Sequence, residues 1–137
     1  VSAVADPIEA AETDIICTVT AASEPILKGE WVNPGTHINL VGSHSLTARE
    51  ADTALITNAR VYVDSLASTT AEAGNIMIPV KEGAIDMSHV IGEIGHVAAG
   101  DLAGRINDTQ ITLYNSLGIT AQDLFSAVSI YRRFLNS

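Results

Sequence analysis

Short apolar runs near 14–19, 37–41, 60–63 and 110–115 constrain this chain more than any other feature. Each is too brief for a helix and is rich in β-branched residues, so each predicts a buried strand. The chain between them is too long for hairpins and carries helical patterns, which predicts βαβ units and a mainly parallel sheet. Small aliphatics must fill the core, because 47% of the residues are hydrophobic and only 4% aromatic. At 137 residues the chain has room for one domain with one core. No repeat or linker divides it.

The helix signals are local. Asp6 followed by Pro7 predicts a short helix through Glu12, after an apolar start at 1–4. A helix is expected from 47 or 48 to 58, and another capped by Ser68 and stopped at Gly74 in the left-handed conformation. The stripe Val90, Ile91, Ile94, Val97 and Ala98 predicts a helix from Asp86 or Ser88 to Ala99. Thr120 with Asp123 has capping-box spacing and opens a final helix with the stripe Leu124, Phe125, Val128, Tyr131 and Leu135.

Charge excludes some partners. Seven Lys and Arg against sixteen Asp and Glu give a net charge of −9, with no basic cluster. Attraction to a phosphate backbone or an anionic membrane cannot supply affinity, so neither nucleic acid nor membrane is an expected partner. The lone Cys17, inside Ile15-Ile16-Cys17-Thr18-Val19, reads as a core residue and fits a reducing cytoplasm.

In open parallel sheets ligands bind beyond the carboxyl ends of the strands. Three such ends are recognisable: Thr20-Ala21-Ala22, Val41-Gly42-Ser43-His44 and Asp64-Ser65. The candidate ligand contacts are Thr20, Gly42, Ser43 and His44, with Asn115 on the last strand. His37, His44, His89 and His96 lack metal-site spacing, so no metal is expected. Ser45, Ser65 and Ser116 lack the context of a nucleophile, and Asp52, Glu72, Glu82 and Glu93 read as solvated faces or caps. No G-x-G-x-x-G, the loop that holds a dinucleotide pyrophosphate, occurs in the sequence.

Five segments in order carry a resemblance: PILKGEWVNPGTHINLVG at 25–42, ARE at 48–50, ARVYVDS at 59–65, IGEIGHVAAGDLAGR at 91–105 and ITLYNSLGITAQDL at 111–124. Together they resemble the ornithine cyclodeaminase/mu-crystallin family. The resemblance implies a truncated Rossmann-like domain that lacks the family's N-terminal domain, first strand, glycine-rich loop and ribose-binding acid. The absent first strand would lie beside 14–19, leaving that edge open. Full-length members use NAD or NADP for cyclodeamination, amino-acid dehydrogenation or imine reduction; the isolated chain is expected to hold no cofactor. His44 stands where cyclodeaminases place an acid/base Asp, so no catalytic residue is assigned. The expectation is a non-catalytic homodimer or higher homo-oligomer. The alternative is one half of a split NAD(P)-dependent enzyme, completed by a complementary N-terminal polypeptide.

Overall fold

A computed structural model describes residues 2–136. Among them β1 (Ile15–Thr18), β2 (His37–Leu40), β3 (Arg60–Val63), β4 (Val90–Glu93) and β5 (Thr112–Asn115) form one sheet in the order β1-β2-β5-β3-β4. Every pairing is parallel. β-Branched and aliphatic residues suit such a sheet because its central strands are covered on both faces. Ile38, Leu40, Val61, Val63 and Leu113 are fully buried, joined from the covering layer by Leu55, Ile56 and Ile76.

The helices are α1 (Pro7–Ala11), α2 (Thr53–Asn58), α3 (Leu66–Glu72), α4 (Gly74–Lys81), α5 (Ile94–Ala99) and α6 (Thr120–Leu135). Asp6 caps α1 as the sequence predicts, its carboxylate accepting from Ile8 N at 2.9 Å. Asp52 caps α2 through Leu55 N at 2.8 Å. The short α2 packs on α4, and its Leu55 and Ile56 face inward.

Several expectations fail for identifiable reasons. The helix expected over 86–99 is a 3-10 turn (Met87–His89), then β4, then α5. Its apolar spacing also suits a strand, and Val90 is drawn into the core opposite Val61. The helix expected from 47 or 48 begins only at Thr53, because residues 47–52 form a loop whose backbone bonds to Leu27 and Asn75. Ser65, not Ser68, caps α3, with its hydroxyl accepting from Ser68 N at 3.3 Å. Gly74 is no left-handed stop: it opens α4, and a Cβ there would collide with the Ala48 and Ser45 carbonyls. Thr120 lies inside α6 rather than capping it, and Ile119 at the N-cap offers no side-chain bond.

The amino-terminal edge brings one more correction. Residues 2–4 belong to no strand and are exposed, and Val1 lies outside the described residues. β1, an edge strand that pairs with β2, is buried on one face only: Ile15 is 63% and nearby Val19 72% exposed. Cys17 shares that open face and is exposed, not a core thiol.

Candidate carboxyl-end site

Parallel strands place their carboxyl ends on one rim, and here two buried carboxylates tie that rim together. Glu50 follows the loop after β2 and has no exposed surface. Its Oε1 accepts from Thr20 N at 2.7 Å and Thr20 Oγ at 2.8 Å. Its Oε2 accepts from Thr18 Oγ and Gly42 N, both at 2.8 Å. One side chain thus joins the ends of β1 and β2. Asp64, ending β3, does the same beyond β5: its Oδ2 accepts from Leu117 N and Gly118 N, both at 2.7 Å. Among the described residues neither carboxylate forms an ion pair. Multiple N–H and O–H donors instead compensate for the lost hydration.

Asn75 extends the network to the central strand. Its Oδ1 accepts from Glu50 N at 2.8 Å and its Nδ2 donates to Asn115 Oδ1 at 3.0 Å. Asn115 Nδ2 is buried without a hydrogen-bond partner. The sequence-predicted positions Thr20, Gly42 and Asn115 are therefore linked through Glu50 and Asn75. Sequence reading assigned neither of these two a role. Their signal was faint: an acid after the VG loop, and an Asn beside a buried glycine.

The predicted residues differ in what they offer. Gly42 is a glycine because its Cβ would strike the Thr20 backbone and Glu50 Oε1, so the close approach is to the protein itself. Ser43 is buried and its hydroxyl donates to Ala48 O at 2.6 Å. The Thr20 hydroxyl is engaged with Glu50 and accepts from Ala22 N at 3.3 Å. His44 is exposed, and its ring has no hydrogen-bond partner among the described residues. It borders a cleft of about 250 Å³ lined by Ala21, Ala22, Gly42, Ser43, His44, Ser45 and Ala48. That cleft lies below the range of roughly 300–1,000 Å³ for small-molecule sites. A larger hollow, about 670 Å³, runs along α6 instead.

A dinucleotide needs a phosphate cradle, in which free N–H groups at a helix start meet the pyrophosphate. At α3, which starts on this rim, two of those donors are taken: Leu66 N donates to Glu93 Oε1 at 2.9 Å and Ser68 N to Ser65 Oγ. The first turn of α6 carries Asp123, which repels an anion. These residues do not fit the pyrophosphate. No group of three or more His, Cys, Asp or Glu could hold a metal ion among the described residues.

The family model for the ornithine cyclodeaminase/mu-crystallin family matches residues 1–137. The chain belongs to that family. It is 39% identical over 125 residues to a Δ1-pyrroline-2-carboxylate reductase of Colwellia psychrerythraea, covering 91% of this chain and 40% of the relative. The fold matches the Thermococcus litoralis Δ1-pyrroline-2-carboxylate reductase in complex with NADH and L-proline, with TM-score 0.87, 39% identity, and coverage of 94% and 40%. An archaeal alanine dehydrogenase dimer with bound NAD also gives TM-score 0.87, at 34% identity and coverage of 98% and 42%. The chain thus spans about 40% of the length of the relatives it matches. The sheet is Rossmann-like, as these neighbours are. No helix of the described residues is long and apolar enough to cross a membrane.

Proposed function

We propose that these 137 residues supply the carboxyl-terminal share of an NAD(P)-dependent oxidoreductase acting on a cyclic imine or a 2-amino acid. By themselves they are a non-catalytic, self-associating scaffold of the cytoplasm. The observation that carries this reading is the mismatch on the rim: relatives are solved with NADH or NAD, yet the helix starts here offer no phosphate cradle. Catalysis then needs a glycine-rich loop, which these 137 residues do not contain. Within the shared site Thr20, Gly42, Ser43 and Asn115 frame the ligand, and His44 presents an exposed imidazole beside the cleft. Because His44 replaces an Asp, reduction or dehydrogenation suits the site better than cyclodeamination.

Calorimetry of the 137-residue chain with NADH and NADPH tests the first half. Weak or undetectable binding is expected, and a sub-micromolar dissociation constant overturns it. Adding the amino-terminal portion of the Thermococcus litoralis reductase should then restore NADH-dependent reduction of Δ1-pyrroline-2-carboxylate. The self-association of the scaffold is read by light scattering, where a soluble, folded monomer at high concentration counts against it. The open β1 edge and the exposed α6 face favour association.

A further inference from the structure

We infer that Glu50 is the positioning residue of the rim, holding the two lips of the ligand cleft at a fixed separation. The inference rests on the reading of this rim as the ligand-binding end. One lip is Thr20-Ala21-Ala22 beyond β1, and the other is Gly42-Ser43-His44 beyond β2. Among the described residues only Glu50 bonds to both: Oε1 takes two donors from Thr20, and Oε2 takes Gly42 N together with the Thr18 hydroxyl.

Stability alone does not explain this choice of residue. A fully buried carboxylate without a cation is costly to desolvate, and an apolar side chain of similar volume is often as stable or more so. What an apolar residue cannot do is fix an exposed lip. Thr20 lies at the surface, yet its amide and hydroxyl are both held from beneath by the same oxygen. The anchor itself is firm. Asn75 Oδ1 accepts from Glu50 N at 2.8 Å, and the Glu50 carbonyl accepts from Ile26 N at 2.8 Å and Leu27 N at 2.9 Å.

The four donors also explain why glutamate is required rather than glutamine. Both oxygens of a carboxylate accept, whereas an amide accepts at one end and donates at the other. In Glu50→Gln the NH2 group must face either Gly42 N or Thr20 N, a donor against a donor. One lip is released while the other stays tied. Hydrogen bonding to a carboxylate also draws an amide proton far downfield, which gives each lip its own NMR signal.

The test uses the 137-residue chain and needs no ligand. In the wild type, the Thr20 and Gly42 amide protons should be strongly downfield and slow to exchange. In Glu50→Gln one of the two should move upfield and exchange at least about tenfold faster, with the Val61 and Leu113 amides unchanged. Wild-type lip amides that exchange like open loops overturn the inference, even where the variant fails to fold. A uniform loss of protection across the sheet in Glu50→Gln also overturns it, because that marks a merely structural role. Thr18→Val should leave both lip amides in place. If the wild type completed by an N-terminal portion binds no NADH, the proposed function falls while the amide result stands.

Discussion

The carboxyl rim and α6 occupy the same side of the sequence–structure relation but solve opposite problems. On the rim, exposed loops are held by buried anions: Glu50 and Asp64 accept seven hydrogen bonds between them. On α6 no residue is buried; Phe125 is 76% exposed, and Leu124 and Tyr131 stand out beside it. Gln122 Nε2 on this helix donates to Tyr114 Oη of β5 at 3.1 Å. The rim is a finished polar structure that presents little free surface chemistry. The helix instead leaves apolar side chains open.

The contrast can be broken most decisively at Asp64. Asp64→Ala strips the acceptor from Leu117 N and Gly118 N, and should lower stability by about 2–4 kcal/mol in urea denaturation. A loss close to zero would mean that the rim is not held by its carboxylates. Gly42→Ala comes next, since its Cβ meets the Thr20 backbone and the hydrogen-bonded Glu50 carboxylate; about 1–3 kcal/mol should be lost, measured the same way.

A smaller effect is expected from pH at the opposite end of β2. Burial lowers the His37 proton affinity below its ordinary value of 6.5; a hydrogen bond with Asn39 opposes this and the Arg105 charge adds to it. The unfolded chain therefore binds more protons than the folded one just below that pH. The stability this contributes is full above 6.5 and is lost as pH falls toward the depressed folded value. The urea midpoint should fall between pH 7.5 and 5.5, and His37→Gln should flatten that fall (roughly one histidine's share of the linkage). The least change in stability belongs to Phe125→Asp with Val128→Asp. Equilibrium unfolding of the monomer should move by no more than about 0.5 kcal/mol, while light scattering shows the oligomer lost.

Much of the architecture is legible because short β-branched runs have few alternatives. The strands at 14–19, 37–41, 60–63 and 110–115 contain the observed β1, β2, β3 and β5. β4 was hidden because Val90 and Ile91 fit a helical stripe as well as a strand, and only pairing with β3 decides. Cys17 misleads for a related reason: a run of apolar letters does not reveal that its strand lies at an edge. At the rim, Thr20, Gly42, Ser43, His44 and Asn115 can be located from strand ends. Glu50 and Asn75 cannot, because their importance comes from contacts 25 to 40 residues away in the chain.

The position of β5 has a consequence for how the molecule comes into being. Among the described residues the strand latest in the chain lies in the middle of the sheet, between β2 and β3. Until residues 112–115 are available, the nascent chain can pair β1 with β2 and β3 with β4, but it cannot join the halves. Two-stranded pieces are marginal in water, so within these residues a lasting sheet awaits β5. Such late closure exposes apolar strands during translation and favours slow folding with chaperone contact. Stop codons placed before residue 112 should thus yield insoluble fragments rather than smaller folded domains.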